Sequence, residues 1–86
     1  MTFAFVFVNC VDDAQAISAK KVVKEVEGVL ECYITSGIYD LVLKVHANDE
    51  FKLEEVIKRI KATAGIISTV TSIVYKRDIF APHPPK

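Results

Sequence analysis

The sequence predicts an α+β domain of the ferredoxin-like type, a βαββαβ chain whose four-stranded antiparallel sheet carries both helices on one face. Three observations predict it. Four short runs are rich in apolar and β-branched residues; two helix-period segments each follow an aspartate and end at a glycine; and the two halves echo one another. The echo sets Val22-Val23-Lys24-Glu25-Val26 and Gly28-Val29 against Val56-Ile57-Lys58-Arg59-Ile60 and Gly65-Ile66.

Residues 3–10 are aromatic and β-branched, too few for a buried helix and suited to a central strand, and Asp12-Asp13 ends them. Those aspartates are also N-cap residues for a helix whose apolar positions are Ala16, Ala19, Val23 and Val26, ending at Gly28. A strand over 29–36 and a third over 41–47 flank Gly37-Ile38-Tyr39-Asp40, which supplies turn chemistry for a hairpin. Asn48-Asp49 caps a second helix with the stripe Leu53, Val56, Ile57, Ile60 and Ala64, closed by Gly65. A fourth strand covers 66–75. Residues 1–76 thus form the domain and 77–86 a tail whose three prolines cannot sit inside a sheet.

Right-handed crossovers place both helices on the same side of the sheet, leaving the other side bare. Yet neither side is polar: Phe3, Phe5 and Phe7 alternate with Ala4, Val6 and Val8. Leu41, Leu43 and Val45 share a face opposite Val42, Lys44 and His46, and Val70 and Val74 oppose Ile67, Ile73 and Tyr75. With 51% hydrophobic residues in 86, the chain holds more apolar material than so small a monomer hides. Self-association follows, with a second copy's sheet as the lid in a two-fold arrangement of the dimeric α/β-barrel type.

Eleven basic and eleven acidic residues cancel without a basic cluster, so direct nucleic-acid binding is not expected. No apolar run approaches the roughly 18 residues of a membrane span, and the first residues read as a strand rather than a signal peptide, so a cytoplasmic protein is expected. Cys10 and Cys32 lack CxxC spacing and read as small buried hydrophobes. His46 and His83 have no ligand partners at metal-binding spacing, so neither a metal nor another cofactor is expected. His46 with Asp49 and Cys10 with Asp12 are the pairings a catalyst could use, and both are explained by chance adjacency, so no catalytic residue is assigned. Glu54, Glu55, Lys58, Arg59 and Lys61 read as a solvated helix face with i,i+4 pairs.

The candidate ligand site is the turn Ser36-Gly37-Ile38-Tyr39-Asp40. Amides around a glycine suit a carboxylate, the Asp40 carboxylate suits an ammonium, and Tyr39 suits an apolar side chain, a mixture fit for a zwitterion. The same residues also compose an ordinary Asx-type hairpin turn. Ser68, Thr69, Thr71 and Ser72 form a second hydroxyl group, equally explained by strand propensity.

Glu27-Gly28-Val29, then Gly37-Ile38-Tyr39-Asp40-Leu41, then the stretch Ser68-Thr69-Val70-Thr71 resembles the RAM domain, the amino-acid-sensing C-terminal half of the Lrp/AsnC transcription regulators. The likeness spans about residues 3–76. It implies a domain that dimerises sheet to sheet, joins further dimers into a ring such as an octamer or decamer, and binds amino acids at the GxYD turn. Thr69 and Thr71 join Ser36, Gly37, Ile38, Tyr39 and Asp40 as the ligand-binding set. Met1 leads directly into the first strand with no helix-turn-helix ahead of it, so the chain looks like a stand-alone RAM domain acting on itself or on related Lrp/AsnC regulators. The rival readings are a small dimeric α/β-barrel enzyme, with a cavity containing His46 or Tyr33, and a purely structural oligomerisation module.

Overall fold

In the computed structural model, which describes residues 1–76, β1 (Thr2–Cys10) lies inside the sheet, paired antiparallel with β3 (Leu41–Ala47) on one side and β4 (Ile66–Val74) on the other. β2 (Val29–Ile34) pairs antiparallel with β3, giving the order β2-β3-β1-β4. The helices α1 (Asp13–Val23) and α2 (Glu50–Lys61) complete the βαββαβ order and the ferredoxin-like fold expected from the pattern. The expected tail, 77–86, lies outside the described residues.

Register decides which side chains meet the helices. Ala4, Val6 and Val8 pair with Val45, Leu43 and Leu41, and all six are fully buried. Ala16, Ala19 and Val23 of α1 and Leu53, Val56, Ile57 and Ile60 of α2 close over them. Truncating a fully buried leucine such as Leu43 to alanine costs about 2–5 kcal/mol by lost burial and the cavity left behind. On the opposite face Phe3, Phe5 and Phe7 stand beside Val42, Lys44 and His46 on β3 and Val70, Ser72 and Val74 on β4. Phe5 and Val70 are exposed, so one chain leaves this face uncovered.

The helix ends correct the expected boundaries. Asp12 and Asp49 are the N-caps, their carboxylates accepting the amides of Gln15 and Lys52 at 2.8 Å each. α1 stops at Val23 rather than running to Gly28, because Glu25 and Val26 donate to Val22 and Val23 three residues back, tightening the last turn. α2 stops at Lys61, which leaves Ala64 exposed instead of on the buried stripe. Along its outer face the close ion pair is Lys52 with Glu55 at 4.0 Å, not the expected i,i+4 pairs.

Two bulges correct the expected alternation. Asn9 pairs with Ser68 and Cys10 with Ile66, so Ile67 is the extra residue and is exposed, while Ile66 packs against the core. On β2, Val29 pairs with Val45 and Glu31 with Lys44, so Leu30 bulges out to solvent.

Candidate functional site

β2 ends at Ile34, two residues earlier than the pattern suggests, because Thr35 closes the hairpin. Its amide donates to the Asp40 carbonyl at 2.9 Å and its hydroxyl to the Tyr39 carbonyl at 2.7 Å. Asp40 then ties the turn to β1 from both of its ends: its amide donates to the Val8 carbonyl at 2.9 Å, and its Oδ2 accepts the Cys10 amide at 2.7 Å. The Tyr39 ring lies 5.2 Å from the Phe7 ring, which puts it on the uncovered face of the sheet.

The apex between these anchors is open. Gly37 has φ +102, the left-handed region that disfavours side chains, and a Cβ there would meet nothing within 4 Å. Ile38 is 83% exposed. Among the described residues, the amides of Gly37 and Ile38 donate to no group of the chain. Two unpaired donors beside a glycine, held by a braced base, can receive a carboxylate. The Asp40 carboxylate, by contrast, already has one oxygen engaged by Cys10, so an incoming ammonium would share it.

Thr69 and Thr71 lie elsewhere. They pair with Val8 and Val6 and face the helix layer, and the Thr69 hydroxyl is buried without a hydrogen-bond partner. In one chain they stand on the opposite face of the sheet from Tyr39; the β4 hydroxyls on the Tyr39 face are those of Ser68 and Ser72, which pair with Asn9 and Phe5. Thr69 nevertheless sits at the Asp40 end of the sheet, across β1 from it.

Among the described residues, His46 makes no hydrogen bond or ion pair with Asp49, nor Cys10 a hydrogen bond with the Asp12 side chain. Asp12 and Asp49 serve as helix caps, and the His46 ring stacks on Phe3 with its Nδ1 3.0 Å from Met1 Sδ. Burial pushes the Cys10 thiol up, with Asp40 and Asp12 adding to the effect, and burial likewise raises the Cys32 thiol against the opposing pull of Lys20. Raised thiols are poor nucleophiles. Among the described residues no three His, Cys, Asp or Glu side chains gather as metal ligands, and no helix is long and apolar enough to cross a membrane.

One polar cluster on the uncovered face is assembled by strand pairing rather than by a sequence motif. Tyr33 donates its hydroxyl to Glu31, Glu31 pairs with Lys44 at 3.5 Å, and the Lys44 ammonium lies 5.8 Å from the centre of the Phe3 ring. The Tyr33 hydrogen bond holds Glu31 below the usual carboxylate range and Tyr33 above the usual phenol range. The signal was the alternation of Glu31 and Tyr33 along one strand face, opposite Lys44 and Val42.

Comparison with known proteins agrees with this architecture. The model of the Lrp/AsnC ligand binding domain matches residues 3–79. Escherichia coli AsnC superposes with a TM-score of 0.86 at 26% identity, over 95% of this chain and 56% of that one. A feast or famine regulatory protein of Mycobacterium tuberculosis, solved with L-methionine, superposes at 0.80 and 26% identity, over 96% and 56% of the two chains. A Thermus thermophilus protein matches at 0.85 and 26% identity, over 93% of this chain and all of its own. Homocitrate synthase of Saccharolobus islandicus is 36% identical over 74 residues, which is 86% of this chain and 16% of the enzyme. The chain therefore spans about one sixth of the length of the curated relatives it matches. From the family match and the superposed regulators, the chain belongs to the Lrp/AsnC ligand-binding domain family.

Proposed function

We propose that the chain is a non-enzymatic, cytoplasmic sensor that binds an amino acid or similar small metabolite at the Ser36–Asp40 turn and self-associates through the uncovered face of its sheet. The observation that carries this reading is the braced turn with open Gly37 and Ile38 amides at its apex. Those donors suit a carboxylate, the free lone pairs of Asp40 suit an ammonium, and the Tyr39 ring beside Phe7 suits an apolar side chain. The Mycobacterium tuberculosis relative solved with L-methionine supports this ligand class.

Within one chain Thr69 and Thr71 face the helices, and the Thr69 hydroxyl is buried, so a part for them in such a site needs a neighbouring copy's turn set against the edge of β4. Assembly is therefore part of the binding reading: dimers formed sheet to sheet join into a ring, an octamer or decamer, that brings one chain's β4 edge to another's turn. Ligand binding that favours one assembly over another would pass the signal to related Lrp/AsnC regulators. Calorimetric titration of the protein with each of the twenty amino acids, alongside sedimentation with and without them, tests this. At least one heat of binding at millimolar concentration or below is expected, lost in Asp40→Asn. No binding by any amino acid would overturn it.

The similarity to a segment of homocitrate synthase favours a second reading, in which this domain type serves as the effector-binding part of an enzyme. Co-purification with a catalytic partner whose activity changes with an amino acid would support it.

A further inference from the structure

At the far end of the sheet from the turn, separated by roughly 25 Å along β1, lies a second concave surface. It is a cleft of about 410 Å³ between the α1–β2 connection, the end of β3 and the outer side of α2. Its size lies within the range of small-molecule sites.

Its floor is built by a close approach. Gly28 has φ +101, and a Cβ there would lie 2.8 Å from Val56 Cγ2 and 2.9 Å from the His46 carbonyl oxygen. The Gly28 carbonyl accepts the His46 amide at 2.8 Å, which fixes the connection against β3. Only glycine lets the chain pass there, and its passage brings Glu27 to one rim while α2 brings Lys52 and Arg59 to the other.

The charges on the two rims are unequal in their commitments. Lys52 and Glu55 lie 4.0 Å apart and partly neutralise each other. Among the described residues, Arg59 and Glu27 have no ion-pair partner, and the two residues line the cleft from different elements. A guanidinium from one wall and a carboxylate from the other are the complements of a ligand that carries both a carboxylate and an ammonium.

We propose that this cleft is a second small-molecule site, formed within a single chain, that takes a zwitterionic metabolite of the α-amino acid class, with Arg59 holding its carboxylate and Glu27 its ammonium. Its lining comes from one chain, so no second copy is needed to complete it.

Backbone-amide NMR titration of the whole chain separates the two sites. The probes are the twenty amino acids at millimolar concentration, with succinate and methylamine as half-matches. Expected are shifts at Gly28, Ala47 and Val56 with at least one amino acid, weakened about tenfold in Arg59→Gln and in Glu27→Gln and unchanged in Asp40→Asn. Shifts confined to residues 36–40 would overturn the second site while leaving the turn reading intact. So would cleft shifts that succinate reproduces or that survive both Arg59→Gln and Glu27→Gln. Thermal melts of the two variants matching the parent keep loss of binding distinct from loss of fold.

Discussion

The Asp40 carboxylate accepts the backbone amide of Cys10 across 30 residues of sequence, at 2.7 Å. It makes Asp40 a brace of the turn before it is anything else. Asp40→Ala leaves that partly buried amide without its acceptor and should cost about 1–3 kcal/mol in urea unfolding. Asp40→Asn keeps a carbonyl oxygen in reach and should cost about 1 kcal/mol or less. The asparagine variant is therefore the one in which loss of amino-acid binding reports on charge rather than on a loosened turn.

Gly28 and Gly37 have nearly the same backbone, φ +101 and +102, in opposite surroundings. Gly37→Ala should cost only backbone strain, about 1 kcal/mol, because a Cβ there meets open space. Gly28→Ala adds collisions with Val56 and the His46 carbonyl, one of them backbone that cannot yield, and should cost about 3 kcal/mol or more. Thermal denaturation of the two variants side by side measures the difference.

The order of elements, the caps at Asp12 and Asp49, the core stripe of α2 and the apolar character of both sheet faces were all legible from short-range pattern, since each depends on residues within a turn or a strand of one another. The parity of β4 was not. Ile67 is one inserted residue, and it moves Ile66 into the helix layer, so alternation counted back through the strand assigns the wrong isoleucine. The turn was legible as a composition, but the partner of Asp40 was not, because Cys10 reaches it through tertiary pairing alone. Nor could sequence separate Tyr39 from Thr69, which the strand register puts on opposite faces.

Both thiols are held above the ordinary value of 9.0, chiefly by burial. Their folded-state pKa values exceed the unfolded ones, so the stability they contribute is fully present below about pH 9 and is lost as pH rises through the folded values. Unfolding midpoints in urea should fall as the pH rises above about 9, and fall less in Cys10→Ala with Cys32→Val. Tyr33, raised by its bond to Glu31, titrates in the same direction, so Tyr33→Phe isolates the thiol contribution. At about pH 8 both cysteines should react slowly with iodoacetamide in the folded protein and promptly in urea.

Val70 stands in the middle of the uncovered face, paired with Phe7 and 48% exposed in one chain. A lysine there can reach water in the monomer, so Val70→Lys should leave the fold of a single chain nearly intact, within about 0.5 kcal/mol of the parent. If a second sheet covers this face, the same ammonium is buried against Phe5 and Phe7 without a carboxylate to receive it, since Glu31 is already paired with Lys44. Sedimentation should then show the parent as a dimer or larger and Val70→Lys shifted toward monomer by at least about tenfold in dissociation constant. A parent that sediments as a monomer, or a lysine variant that assembles like the parent, would show that some other surface joins the copies.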